Sequence, residues 1–346
     1  MKSEDIAKIA GVSRSTVSRV INNYSNVPEE TKEKVMKVVR EYNYMPNTFA
    51  RTLAGKKSNT IGLFFVITGE TFQNSRIARN DYFASYLSFL VDIANGMDYY
   101  VLVNTIRIES EYDKVNQAFM EKRIDGGILI GTQDDTLSKM HLDTIQAPMV
   151  IFDYDVEKLH EQGYKRNDIT LVNSMDSSGI DKAVAYLKDK GHKKIGFIKG
   201  NLHTRSARVR YQGFIDAMAK YGLEVDDRYI VEGEFSVKVA YKGIKEAIGR
   251  KQLPTAYISS NDYMALEAIK ALQEEGYKVP EDIAMIGFDN VHMTEQSRPP
   301  MTSLEPRFYD MARKAVELLD NKLHNPEDLS QDTYDFGVDI IVRESC

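Results

Sequence analysis

Cysteine is almost missing from this 346-residue chain, and the single one, Cys346, is its last residue. No internal disulfide can form. Tryptophan is absent altogether. No apolar run approaches the ~18 residues that a membrane-spanning helix needs. The opening residues, MKSEDIAKIA, carry acids where a secretory leader would carry basic residues and then a long apolar stretch. A cytoplasmic protein with no membrane partner is expected. The six histidines, His192, His203 and His292 among them, lack metal-ligand spacing. Gly126-Gly127-Ile128-Leu129-Ile130-Gly131 is not followed by the Lys-Ser/Thr of a phosphate-binding loop. No Gly-x-Ser-x-Gly elbow occurs. These absences leave no basis for catalysis, a cofactor or a metal, so an enzyme is not expected.

What is present points elsewhere. The length exceeds one ordinary domain and suggests two or three compact units. A net charge of −6 conceals an asymmetry: residues 1–57 hold 11 Lys/Arg against 6 Asp/Glu, and the remaining 289 hold 34 against 45. A basic head on an acidic body suits a protein with one nucleic-acid face. Ordinary surface variation produces the same figures.

The head reads as three short helices. Ser3 is placed to cap the first, with Glu4 and Asp5 in its opening turn and Ile6, Ile9 and Ala10 on one face. Gly11 ends it. Ser13 caps a second helix from Arg14 to Ile21, with Val17, Val20 and Ile21 facing inward. Pro28 opens a third, with Val35, Val38, Val39 and Tyr42 on one side. Two short helices joined by a tight turn and braced by a third make a helix-turn-helix unit. The exposed face of the second helix offers Arg14, Ser15, Ser18 and Arg19. Arginine can bond guanine bidentately in the major groove, and Ser or Thr suits phosphates or base edges. The same serines serve equally well as simple helix initiators.

From Thr60 onward, apolar strands alternate with amphipathic helices. The expected strands are Ile61–Val66, Tyr99–Asn104, Gly127–Ile130, Met149–Phe152, Lys194–Ile198, Ala256–Ile258 and Ala284–Phe288. Intervening helices end at glycine, as at Gly96, Gly191, Gly222 and Gly276. Such alternation means parallel sheets covered on both faces. Roughly 280 residues exceed one core, so two lobes with a cleft between them are expected.

Asp5-Ile6-Ala7-x-x-Ala10-Gly11-Val12-Ser13-x-x-Thr16-Val17-Ser18-Arg19-Val20-x-Asn22, then Tyr44-Met45-Pro46-Asn47 and Ala50-Arg51-x-Leu53, strongly resemble the LacI/GalR family of bacterial transcription regulators. The resemblance runs over essentially the whole chain, to Val342-Arg343-Glu344-Ser345. It implies an N-terminal all-α helix-turn-helix domain joined to an α/β periplasmic-binding-protein-like body of two Rossmann-like lobes. The implied boundaries are 1–46 for the DNA-binding domain, 47–57 for the hinge and 58–346 for the effector-binding and dimerisation body. Within the body they are about 58–160 and 291–320 for the near lobe, and about 161–290 and 321–346 for the far lobe.

By resemblance, Arg14 and Ser15 choose the operator sequence, and Arg19 contacts a base or phosphate. Ser13, Thr16, Ser18, Asn22, Asn47, Ala50 and Arg51 complete the DNA-facing set. Asn47 to Gly55 would order as a hinge helix on the correct operator, with Leu53 as the apolar wedge that opens the central base step. A segment this short is no stable helix alone. The effector contacts implied are Arg208, Asn261 and Asp289, with Asp153 a fourth, Phe235 packing on the ligand face, and Tyr82 and Phe83 on the near lobe. Guanidinium and amide donors with paired carboxylate acceptors suit polyols. Left to the residues alone, a turn or cap role for Asp289 and Asn261, an ion pair for Arg208 and a core position for Phe235 are the competing readings.

Asn80-Asp81-Tyr82-Phe83 departs from the family, because Asp81 stands where proline is usual and a longer connection precedes it. The expected partners are a pseudo-palindromic double-stranded DNA operator, a sugar or sugar phosphate effector, and a second copy of the chain. The chain ends without an apolar heptad tail, which favours a dimer. A phosphocarrier protein acting as corepressor, or a non-sugar ligand such as a purine, is the alternative source of control.

Overall fold

A computed structural model describes residues 1–21, 24–44, 57–67, 77, 81–140, 142–145, 147–164, 169–326 and 333–346. The chain forms two compact units, Met1–Ser58 and Asn59–Cys346. Expected site residues Asn22, Asn47, Ala50, Arg51 and Leu53, and with them the hinge, lie outside the described residues.

In the head, α1 (Ser3–Ala10), α2 (Arg14–Ile21) and α3 (Glu29–Glu41) enclose a small core of Ile6, Ala7, Ala10, Val17, Val20, Val27, Val35 and Val38. Gly11 ends α1 in the left-handed region (φ 62°), and its N–H reaches back to the Lys8 carbonyl at 3.2 Å. Ser13 caps α2 as expected, its Oγ accepting from the Thr16 N–H at 3.0 Å. Three expectations are corrected. Ser3 lies inside α1, where Lys2 is the cap residue and donates its backbone N–H to the Asp5 carboxylate at 2.8 Å. Ile9 and Tyr42 are exposed rather than inward. Tyr42 follows the last helical residue and so leaves the α3 stripe. Because Ser13 satisfies an end N–H that has no other partner, Ser13→Ala is expected to cost about 1 kcal/mol. Amide exchange should then speed up about fivefold at Val17 to Ile21 while α3 is unchanged.

The body contains two six-stranded sheets. The first runs in the order β11 (Thr333–Phe336), β5 (Ile169–Ser174), β4 (Met149–Phe152), β3 (Gly126–Ile130), β1 (Thr60–Val66) and β2 (Tyr100–Ile106). All its pairings are parallel. The second runs β12 (Val338–Ile341), β10 (Thr302–Pro306), β9 (Ala284–Phe288), β8 (Ala256–Ser259), β6 (Ile195–Lys199) and β7 (Ile230–Glu232). Only β10 and β12 pair antiparallel there.

Helices cover both sheets because their strands are apolar on both faces; β3, β4 and β9, for example, are buried along their whole length. On the first sheet, α4 (Asp81–Gly96) and α13 (Phe308–His324) pack together through Tyr86, Leu90, Met311, Ala315 and Leu319. On the second, α8 (Asp176–Asp189) and α9 (Arg205–Lys220) cover one face and α10 (Val237–Gly249) and α11 (Asp262–Glu274) the other.

Hydrogen bonding redraws the expected lobe boundaries. β5 pairs with β4 and β11 with β5, so both belong to the first lobe, whereas β10 and β12 belong to the second. The chain therefore passes between lobes three times, at 174–176, 306–308 and 336–338.

Candidate nucleic-acid interface and effector cleft

The head presents the α2 side chains the sequence singles out. Ser13, Arg14, Ser15, Ser18 and Arg19 are exposed and Thr16 half-buried, with Val17 and Val20 holding the opposite face on the core. The Ser13 hydroxyl lies 2.7 Å from that of Ser15 and 2.8 Å from that of Thr16. Arg14 makes one long pair with Glu4, at 3.6 Å between two exposed side chains. Exposed pairs of this kind contribute little, and the Arg14 guanidinium stays open to solvent.

In the body, polar groups converge where strands end, as open α/β sheets dictate. β4 delivers Asp153 and β9 delivers Asp289, each in the left-handed region at φ 51° and φ 100°. Non-glycine residues held there store strain, which clusters at binding sites. Asp153 is buried and accepts from the Tyr82 hydroxyl at 3.1 Å and from the Ser174 N–H at 3.2 Å. Burial raises its carboxyl above the usual range, and Asp176 adds to the rise. Asp289 is 9 % exposed, with its Oδ1 sealed from solvent and without a hydrogen-bond partner. Burial pushes this carboxyl up to about 7 against the pull of Arg210, and Asp176 and Asp153 contribute to the shift.

The remaining expected contacts divide. Arg208 is bound across the cleft, at 2.6 Å to Asp134 and 2.5 Å to Asp155, and donates to the Leu202 carbonyl at 2.9 Å. Asn261 caps α11, its Oδ1 accepting from the Met264 N–H at 2.9 Å, so its amide Nδ2 is the group left to donate. Tyr82 stands edge-on to Tyr86, Phe83 and Phe308, with ring centroids 5.2 to 5.7 Å away. Phe83 is buried in the first-lobe core, pressed on Gly131, and the structure gives it packing in place of the expected ligand contact. Gly131 has φ +83°, and a Cβ there would meet the Val66 carbonyl oxygen at 2.6 Å and the Phe83 ring at 2.9 Å. Phe235, at φ 53°, packs its ring against Gly200 and the second-lobe core, leaving it half-buried.

Sequence reasoning missed several groups. Arg210 forms a buried ion pair with Asp176, Nε to Oδ2 2.7 Å, and lies 3.6 Å from Asp289. It also donates to the Ser260 carbonyl at 2.5 Å, and its guanidinium lies flat on Phe288, 3.6 Å from the ring centre. Arg205 reaches Asp155 at 3.4 Å and Asp153 at 3.9 Å, and Lys158 reaches Asp134 at 2.5 Å. Thr132, just past β3, is buried with its hydroxyl unpartnered. Asp81, the residue in the unusual α4 opening, hydrogen-bonds Tyr263 at the start of α11. Asp134 and Asp155 carry a readable signal, since each follows an apolar strand by a few residues.

Comparison with known proteins decides the family. The model of bacterial regulatory proteins, lacI family, matches residues 4–47, and a periplasmic binding protein-like domain matches residues 184–346. HTH-type transcriptional repressor PurR of Mannheimia succiniciproducens is 31% identical over 347 residues, covering 99% of this chain and 97% of that protein. The chain belongs to the LacI family. The Haemophilus influenzae protein of the same description is 32% identical over 348 residues, with the same coverage. Among solved structures, the transcriptional regulator CelR–cellobiose complex is 26% identical, with a TM-score of 0.74 and full coverage of both chains. The lac repressor dimer bound to operator and the anti-inducer ONPF reaches a TM-score of 0.84 at 24% identity, covering 100% of this chain and 98% of that one, and shows the shared fold. This LacI-family protein is a DNA-binding transcriptional regulator with a helix-turn-helix head and a two-lobed periplasmic-binding-protein-like body. No helix among the described residues is long and apolar enough to cross a membrane.

Proposed function

We propose that the chain is a repressor acting as a homodimer on a pseudo-palindromic operator, with operator affinity set by a small polyhydroxylated effector between its lobes. The observation that carries this reading is the pair of strand-end carboxylates, Asp153 and Asp289, the latter with an acceptor oxygen sealed from water, 3.6 Å from Arg210 and without a hydrogen-bond partner. A buried acceptor without a donor costs free energy, and a ligand hydroxyl or N–H would satisfy it. The cellobiose in the CelR complex supports a sugar. A purine base is the second reading, favoured by the full-length relatives named PurR and by the Tyr82–Phe308 ring cluster.

Thermal unfolding with a dye readout against mono- and disaccharides and purine bases separates the two. A ligand at ~100 times its dissociation constant stabilises by about 2.7 kcal/mol, and Asp289→Ala should abolish the response. Silence across the panel would overturn the small-molecule reading and favour a protein corepressor. On the DNA side, an operator selected from a random duplex pool should lose about 1–3 kcal/mol of affinity with Arg14→Ala and relax at one base pair per half-site. Equal losses on operator and unrelated DNA would remove Arg14 from the reading set.

A further inference from the structure

We propose that the cleft selects an uncharged, donor-rich effector and rejects the phosphorylated form of the same compound. This rests on the reading that a small molecule occupies the cleft, and it concerns that molecule's charge.

Each described cation at the lobe junction already has carboxylate partners. Arg208 is divided between Asp134 and Asp155, one on each Nη, and its third contact is a backbone carbonyl. Lys158 shares Asp134, and Arg205 lies against Asp155 and Asp153. Deeper in, the charge of Arg210 is matched by Asp176, with Asp289 nearby. Four cations thus meet five carboxylates. Recognition of a phosphoryl group calls for arginine forks or helix N–H groups directed at its oxygens. Here the fork of Arg208 is filled, and an incoming dianion would sit beside Asp134 and Asp155 in a half-buried site where like charges are poorly screened.

The unmatched groups point the same way. Among the described residues, Asp289 Oδ1, 3.6 Å from Arg210, and the Thr132 hydroxyl are buried just past C-terminal strand ends without a hydrogen-bond partner. Both oxygens can accept a ligand O–H or N–H. The complement is therefore a neutral ligand rich in O–H or N–H groups.

The test uses the full chain at constant ionic strength. Matched pairs are compared by thermal unfolding: glucose with glucose 6-phosphate, fructose with fructose 1-phosphate, and inosine with inosine 5′-monophosphate. Inorganic phosphate is the ligand-independent probe. Every stabilising compound should be the uncharged member of its pair, and phosphate should leave the wild type unmoved. Asp134→Asn with Asp155→Asn, which keeps side-chain shape, frees Arg208 and should raise phosphate affinity about tenfold or more. Adding Arg208→Ala should remove that gain. Asp134→Asn alone gives a smaller gain and serves if the double variant does not fold.

A phosphorylated member stabilising the wild type better than its partner would overturn the proposal. So would freed Arg208 failing to take phosphate. Silence of every uncharged compound would instead count against the small-molecule reading, because the phosphate comparison still reads the charge balance.

Discussion

Arg210→Met should destabilise the body by about 3–5 kcal/mol, the range expected when one partner of a buried ion pair is removed. Methionine fills much of the volume, so the loss is electrostatic in origin. Asp176, fully buried at the start of α8, would keep its Ser174 contact and lose its counter-charge. Asp289 would lose the one group that lowers its pKa, and the Ser260 carbonyl would lose its donor. Urea unfolding gives the size of the effect, and its pH dependence gives the cause. The deficit should shrink toward pH 5, as the stranded Asp289 carboxyl takes up a proton, and grow toward pH 8. A deficit independent of pH would mean that packing on Phe288 is the main contribution of Arg210. Arg210→Lys, which restores the charge without the fork, should fall between the two.

The second large effect is carried by Asp289. Burial raises its carboxyl to about 7 in the folded protein, far above the ~3.9 of an unfolded chain. Between those values the native state holds a proton that the unfolded state has released, so stability falls as pH rises from about 4 to about 7 and then levels off. Asp289→Asn removes the titration while keeping the shape. Relative to wild type, the variant should gain stability across that window, by up to about 4 kcal/mol for three pH units at 1.36 kcal/mol each. A constant difference between the two proteins from pH 4 to 8 would show that Asp289 titrates normally. The same variant should lose its effector response, since the amide puts a donating NH2 where the carboxylate has a second accepting oxygen. Greater stability with lost function is the expected signature of a strained binding residue.

The head was legible because its evidence is local. Gly11 ends α1, Ser13 caps α2, and Val17 and Val20 repeat at helical spacing within ten residues. Seven strands of the body were legible for the same reason, each a short apolar run in the sequence. β5, β7, β10, β11 and β12 were not. The segments Ile169–Ser174 and Thr302–Pro306 mix Thr, Ser, Asn and Pro into their strands, because both end beside the polar crossovers between lobes. Thr333–Phe336 and Val338–Ile341 look like one interrupted strand, yet Gly337 sends them to different sheets. Membership of a sheet is decided by partners far away in sequence, and no local pattern carries it. That is why the expected lobe boundaries were displaced.

The cleft shows the same division. Asp153 and Asp289 were implied by the family resemblance, and each directly follows a buried apolar strand. Arg208 was identified as well, but its cross-cleft partners Asp134 and Asp155 become neighbours only when the lobes meet. Arg210 was passed over because residues two apart on a helix face different directions. Arg208 turns to the opposite lobe, while Arg210 turns into the protein and onto Phe288.

The central claim is that a molecule in the cleft controls the grip of the head on DNA. It is tested most directly by fluorescence anisotropy on the selected operator, with and without the compound that stabilises the body. Such coupling equals the effector's preference between two states, typically 1–3 kcal/mol or about 5–150-fold. A change in operator dissociation constant within that range is expected for the wild type, and no change for Asp289→Asn. An unchanged constant in the wild type, or an equal change in the variant, would contradict it.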